Sequence, residues 1–527
     1  MTEAEFNRLV KRLEVFARKD PKAYKNQVWL MAMLGYFYMF SAILFLIGGS
    51  VGIVWLGIHN ANFIAHVFTS LRGAATFRGA IFLCFFILAT ICIFFVVAIV
   101  MLKSLWINFP KPTGIELERE QFPSLFKVLD ELRRAEKAPQ LDHVILNREF
   151  NASVMQVPRL GILGWNENYL TIGLPLMQAL SAEQFRAILA HEFGHLSNKH
   201  KIYLIRHTWL QIFRSVQNAH QNWLYSLQGS IGQAVIIFDG LLSNFYYFLT
   251  WYIPRFDAYS FVLARTYEYE ADRCAVKHAG QRATAEALTN VYAKSSFATE
   301  LFWQDIHQQA KHHSEPQGNP FISIGQALKN PILDQKYWLE QALEEETNNS
   351  DTHPCLSDRL RALGLPAKNA GIFLVPLEIS AAETLLGNSI RKLASQFNRE
   401  WREIILPEWK EQFLHAKNLR ACLAELEDLE KKYPLSPKDL WNRSRWLMEL
   451  EGELAALPTL KALLVKEPDH AIANFIVGKH LIWQKDEKGV DHLKLAMKHD
   501  RELVPLGEQI LSSFVLENQD NQKDRIQ

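Results

Sequence analysis

Among the 527 residues, the run Ala187-Ile188-Leu189-Ala190-His191-Glu192-Phe193-Gly194-His195-Leu196 carries the side chains best placed to do chemistry. Two histidines stand four apart with a glutamate between them, inside an apolar stretch. Ser181 followed by Gln184 forms a capping-box pattern just ahead of it, which predicts that the run is helical. On a helix, positions i and i+4 share a face, so the two imidazoles point the same way. Glu192 sits beside that direction. The arrangement suits two neutral nitrogens on a zinc ion and a carboxylate that handles the protons of a bound water. An ordinary helix carrying the pattern by chance is the competing explanation, and a third ligand decides between the two.

One continuation of the pattern requires a glycine seven residues and a third histidine ten residues after the first. Those positions hold Asn198 and Lys201, so it is excluded, and His200 reads as a helix-end residue. Another continuation places a carboxylate on a later helix. The run Arg265-Thr266-Tyr267-Glu268-Tyr269-Glu270-Ala271-Asp272 offers Glu268 and Asp272, again i and i+4. One carboxylate can bind the metal, and the other can accept the free N–H of a liganding histidine and fix its tautomer. A solvated acidic face is the bland reading of this run taken alone.

The segments LAHEFGHLSNKH and ARTYEYEADRCA together resemble the integral-membrane zinc peptidases of the HtpX and CAAX-prenyl-protease type, a gluzincin family. The resemblance implies one zinc per chain held by His191, His195 and Glu268, with Glu192 as general base and Asp272 orienting a ligand. It extends over about 110–365. FNASVMQVP at 150–158 resembles an edge strand that pairs with substrate backbone, which implies substrate contacts at Asn151, Ala152, Ser153 and Val154. YLTIGLPLMQALSAEQ at 169–184 resembles the strand and turn leading into the metal helix, and DTHPCLSDRLRAL at 351–363 resembles a late His-Pro…Arg motif near the metal. Ser153 departs from the family, which usually has a hydrophobe there. In the late motif, Pro354 biases His353 toward an extended conformation. A histidine so held, read with the resemblance, is expected to donate to the oxyanion formed on the scissile carbonyl.

Composition sets bounds on partners. A net charge of +1 gives no electrostatic footprint for nucleic acid. The five cysteines (Cys84, Cys92, Cys274, Cys355, Cys422) have no CxxC or disulfide-like spacing, which fits a reducing compartment and a zinc site without thiolates.

Two stretches call for a bilayer. Residues 26–71 contain no Asp, Glu, Lys or Arg, and neither do residues 79–102. Each exceeds the roughly 20 residues that span the hydrocarbon. Charged residues precede the first run, which argues against a cleavable signal. Lys and Arg crowd the first 25 residues and resume at Lys103, whereas the loop between the runs holds only Arg72 and Arg78. The positive-inside rule therefore puts both ends, and the metal motifs, on the cytoplasmic side.

A third apolar stretch, AVIIFDGLLSNFYYFLTWYIP at 234–254, lies between the metal motifs. His191 and Glu268 must meet one ion, so the chain between them crosses the bilayer an even number of times. Residues 200–228 carry Lys201, Arg206 and Arg214 and make a poor span. Zero crossings is the expectation, with 234–254 lying on the membrane, dipping into it, or packed as a core helix or lid. Residues 312–320 and 345–352 read as loops, with His312 and His313 solvated. Beyond about 400 the chain is amphipathic helix. Pro437 and Pro468 mark a period, and Ala471, Gly478 and Ala496 resemble a tetratricopeptide repeat.

These observations predict a mainly α fold with a small β-sheet. The expected divisions are a basic segment at 1–27, transmembrane helices at 28–58 and 79–106, and a metallopeptidase domain at 110–365. A linker at 366–400, a repeat domain at 401–505 and a polar tail at 506–527 follow. By resemblance, the expected activity is a zinc endopeptidase of the bacterial inner membrane, multi-pass, acting on membrane or misfolded polypeptides. The repeats would engage a protein partner, and no nucleic acid is involved. A processing protease cutting few sites is the alternative enzyme. A membrane scaffold with a vestigial metal site is the alternative of another class.

Overall fold

The computed structural model describes residues 1–59, 110–159, 165–196, 233–329, 335–349 and 351–524, with scattered helical positions within 66–99 and 205–221. The expected span at 79–106 and His200 fall largely or wholly outside these. The described chain is mainly helical with one small sheet. It divides into two compact units, Met1–Phe302 with Asn319–Phe397, and Trp303–Gly318 with Asn398–Gln527.

In the first unit, α1 (Glu3–Lys19) opens with a capping box between Thr2 and Glu5. Its buried Val10 and Leu13 share a core with Phe261 and Val262. Most of the basic N-terminal segment is thus a packed helix. Asp20 accepts a hydrogen bond from the Ala23 N–H and Pro21 begins α2 (Pro21–His59), a favourable helix start. Among the described residues, α2 is the one helix long and apolar enough to cross a membrane. It is apolar all round, and Leu30, Phe37, Leu44 and Phe45 are about two-thirds exposed (69%, 72%, 69% and 68%).

The sheet consists of β1 (Ile115–Glu116), β2 (His143–Asn147), β3 (Ala152–Pro158) and β4 (Asn166–Gly173), in the order β1-β2-β4-β3. β2 runs parallel to β4, and β3 pairs antiparallel with β4 (Ala152 opposite Ile172, Val154 opposite Leu170), so β3 is an edge. Between β1 and β2 lies α3 (Pro123–Glu136). β4 runs straight into α4 (Leu174–Ala179), and α5 (Ala182–Leu196) follows. The capping box is present as the sequence predicts. Ser181 Oγ accepts from the Gln184 N–H at 3.2 Å, and Gln184 Oε1 accepts from the Ser181 N–H at 3.1 Å.

The stretch 234–254 is not a separate element. It is the first half of α6 (Gln233–Ala279), which continues through Pro254 to carry Glu268 and Asp272. Proline ordinarily costs a helix interior about 3 kcal/mol. Packing against α2 offsets that here. Tyr252 Oη donates to Met31 O at 2.8 Å, Tyr38 stacks on Phe248 at 3.6 Å, and a Cβ at Gly35 would meet Tyr252 at 2.5 Å. As numbering rises along α2 it falls along α6, so the apolar halves of the two helices lie antiparallel.

The first unit continues with α7 (Gln281–Ser296), then α8 (Phe302–Gln308), at which the chain passes to the second unit. It returns with α9 (Pro320–Lys329), α10 (Gln335–Glu344), α11 (Leu356–Ala362) and α12 (Ala381–Leu386). Residues 366–397, read from the sequence as mostly linker, group with this unit.

The second unit is built on α13 (Ile390–Glu430), which enters it at Asn398, followed by α14 (Pro437–Glu451), α15 (Glu453–Lys466), α16 (Ala471–Trp483), α17 (Lys488–His499) and α18 (Val504–Asp524). α14 and α16 begin 34 residues apart, at 437 and 471. Leu460, Leu463, Ile476 and Val477 share one core. Residues 303–318 belong with these helices: the Trp409 indole donates to His313 O at 2.8 Å, and Arg420 donates to Lys311 O at 2.7 Å.

Candidate metal centre

α5 and α6 cross where Gly194 sits inside the His-Glu-Phe-Gly-His run. A Cβ there would lie 3.1 Å from Ala271 Cα, so the glycine permits the close approach that brings the two helices' side chains together. His191 Nε2 and His195 Nε2 are 3.1 Å apart, and the Glu268 carboxylate faces both, Oε2 lying 3.4 Å from His191 Nε2 and Oε1 3.4 Å from His195 Nε2. Donor atoms about 2.0–2.1 Å from the centre of a tetrahedron are separated by about 3.3 Å. Two imidazole nitrogens and a carboxylate, spaced in this way, fit a divalent ion. A second grouping with metal-ligand chemistry, Glu136, Cys274 and His278, lies away from this centre.

Behind the three donors is a buried polar relay. Asp272, fully buried, receives the His191 Nδ1 side at 3.0 Å. Arg359 on α11 grips the same carboxylate with two bonds, Nη2 to Oδ1 at 2.6 Å and Nε to Oδ2 at 2.9 Å. Burial alone would raise the Asp272 carboxyl, but the adjacent guanidinium holds it well below the usual range. Glu268 is likewise held low, because the two histidines outweigh its burial. Burial pushes His191 down, yet hydrogen bonds to Asp272 and Glu268 raise it to about 9. The negative field that favours a proton between these groups also favours a divalent cation.

Glu192 points the other way from this relay, toward the sheet. Its Oε2 accepts from the Val154 N–H at 3.2 Å, and burial raises its carboxyl. β3 therefore presents a backbone donor at the site, on the edge away from β4. A cavity of about 640 Å3 opens here, lined by Asn151, Ala152, Ser153 and Val154 on the strand side and by Leu288, Val291 and Tyr292 of α7 opposite.

His353 reaches the same cavity from the segment before α11. Its Nε2 lies 3.7 Å from Glu268 Oε2, and its Nδ1 lies 2.9 Å from Asp351 Oδ1, leaving Nε2 directed at the site. Arg265 secures this segment by donating to Asn348 O and, at 3.3 Å, to Asn349 Oδ1, while it holds Glu14 of α1 at 2.8 Å.

All ten residues singled out from the sequence thus line one cavity. His312 and His313 are elsewhere, in the second unit. Sequence reasoning passed over two groups, Arg359 as the partner of Asp272 and Asp351 as the partner of His353. A buried carboxylate requires a cation, and the late motif that contributes His353 also contains Arg359, so the signal was present.

Residues 127–366 match the sequence model of Peptidase family M48. The chain is 25% identical over 261 residues to Protease HtpX of Acinetobacter baylyi, an alignment that covers 45% of this chain and 81% of the relative. No solved structure matches. The matched span contains both metal motifs and the late His-Pro…Arg motif, and with its converging donors the chain is a metallopeptidase whose residues 127–366 are similar to Peptidase family M48 and to the HtpX type.

Proposed function

We propose that the chain is a zinc endopeptidase anchored in the bacterial inner membrane, with one ion held by His191, His195 and Glu268 and its catalytic side facing the cytoplasm. The convergence of these donors with Glu192 beneath a free strand edge supports this reading best. When bound, zinc would polarise the scissile carbonyl and acidify the attacking water. Glu192 takes that water's proton and passes it to the leaving amine, a role suited to a carboxylate raised by burial. Asn151 to Val154 hold the substrate as an added strand, and the Val154 N–H, now on Glu192, exchanges onto substrate carbonyl. Asp272 fixes the His191 tautomer, and Arg359 keeps Asp272 charged. With Nδ1 held against Asp351, His353 directs Nε2 at the developing oxyanion as a hydrogen-bond donor.

The exposed apolar surface of α2 supports a membrane span, and the antiparallel apolar half of α6 beside it supports a path at the same depth rather than on the surface. Helices paired and spaced as α14 to α17 are support a tetratricopeptide-like module that engages a protein partner. Membrane or misfolded polypeptides are the proposed substrates.

The test is Glu192→Gln. General-base catalysis contributes about 100- to 10,000-fold. The variant should keep its zinc while cleavage of an unfolded protein falls by that factor. Normal cleavage by this variant overturns the mechanism.

A further inference from the structure

A second cavity, of about 1040 Å3, lies on the far side of α6 from the metal centre, between that helix and α1. Its wall includes Lys11 and Arg18 of α1 and Lys25 at the start of α2. The acids in the same wall are already engaged: Glu14 by Arg265 at 2.8 Å, Glu270 by Arg273 at 3.9 Å, and Asp358 by Arg361 at 2.5 Å. Lys11, Arg18 and Lys25 make no ion pair among the described residues, and all three are exposed. The cavity therefore presents three uncompensated positive charges.

Its depth along α2 is informative. The charge-free stretch begins at Asn26, directly after Lys25, and Leu30 and Phe37 are 69% and 72% exposed. At about 1.5 Å per residue, Leu30 lies only about 7–8 Å along the axis from Lys25. Headgroups occupy about 5–7 Å on each side of a bilayer's hydrocarbon. If α2 spans the membrane as proposed above, the three cations stand at headgroup level and the exposed leucine and phenylalanine stand at acyl-chain level. We infer that this cavity binds the phosphate headgroup of an anionic phospholipid, whose chains lie along the exposed face of α2. Free phosphate shares the headgroup chemistry but has nothing to place against that face.

The test uses the full-length protein in phosphatidylcholine nanodiscs and, delipidated in neutral detergent, native mass spectrometry with phosphatidylglycerol, phosphatidylcholine or inorganic phosphate. Each basic side chain near an anionic surface contributes about a factor of five, so three contribute about 100-fold. Phosphatidylglycerol should be retained at least about 10-fold more tightly than phosphatidylcholine. The triple variant Lys11→Gln, Arg18→Gln, Lys25→Gln should bind it about 100-fold more weakly at an unchanged melting temperature. Lys25→Glu against Lys25→Arg repeats the test on one exposed side chain: the first should lose binding and the second keep it. Equal retention of the two lipids, or wild-type binding by both the triple variant and Lys25→Glu, overturns the site. Displacement of phosphatidylglycerol by inorganic phosphate at equal concentration assigns the cavity to a soluble anion and overturns the lipid reading. A protein that fails to enter phosphatidylcholine nanodiscs removes the membrane anchor and this site together, whereas one that enters without preferring phosphatidylglycerol removes the site alone.

Discussion

Arg359 and Asp272 in the first unit pair with side chains only 9% and 1% exposed, whereas Arg443 and Glu430 in the second unit pair at 24% and 49%. Both are arginine–carboxylate contacts of similar length, at 2.6 and 2.7 Å. Their surroundings make them different objects. The exposed pair gains little over hydration, while the buried one is costly to assemble and far costlier to break. In the proposed function the first unit uses that arrangement to aim His191 at an ion. The second unit has no comparable charge relay among its described residues, and rests on aliphatic clusters such as Leu457, Leu460, Leu463 and Val477. A helical chain can thus be stabilised by area in one region and constrained by charge geometry in another.

The sharpest way to break the comparison is at the metal donors. His191→Ala and Glu268→Gln each remove one of three converging atoms. Both variants should lose bound metal, read by elemental analysis. Several kcal/mol of transition-state stabilisation leave with the ion, so hydrolysis should fall by more than about 1000-fold.

Next in size is Arg359→Met, which strands the Asp272 carboxylate in the interior and should destabilise the protein by about 3–5 kcal/mol. Arg443→Met should cost less than about 1 kcal/mol. Chemical denaturation of the two variants side by side measures the contrast. Equal losses would show that burial does not separate the two pairs.

His353→Ala tests chemistry without the metal. Its side chain is 53% exposed, so its loss should leave melting temperature and metal content unchanged. Oxyanion donors act mainly in the transition state, so kcat should fall about 100-fold with KM nearly constant. Metal loss in this variant would make His353 a ligand, and an unchanged kcat would make it structural.

How much of this was readable from residues alone follows the range of the interactions. α5 was legible because its signals are local: Ser181 and Gln184 are three positions apart, and His191 and His195 are four apart. Glu268 was legible once a third donor was required. Three features were not. The passage of α6 through Pro254 depends on packing against α2, some 220 positions earlier in the chain, which overrides a strong local stop signal. The membership of 303–318 in the second unit rests on Trp409 and Arg420 contacting its backbone, and no pattern within 303–318 announces it. The Asp272–Arg359 pair spans 87 positions. Charge satisfaction could have suggested it, since a buried acid on a helix face needs a cation and the late motif offers one.

The smallest expected effect concerns Lys294, a residue with no motif around it. It is buried on α7, its Nζ donates to Ala179 O at 2.9 Å, and burial lowers it from its usual value of 10.5 to about 8. The folded state therefore disfavours the charged lysine. At a pH below both values the folded and unfolded chains are both protonated there, and the desolvation cost is present in full. Between about pH 8 and 10.5 the unfolded chain binds more protons than the folded one, so stability rises with pH through that window. From about pH 7 to 9 the gain should be about 1 kcal/mol. Lys294→Met removes the titrating group and should flatten this rise. Melting curves of the two proteins in parallel buffers isolate the difference, since other ionisable groups are common to both. A slope equal in wild type and variant would mean that the ammonium is adequately solvated where it lies. The first unit would then hold one buried charge fewer than the comparison with the second assumes.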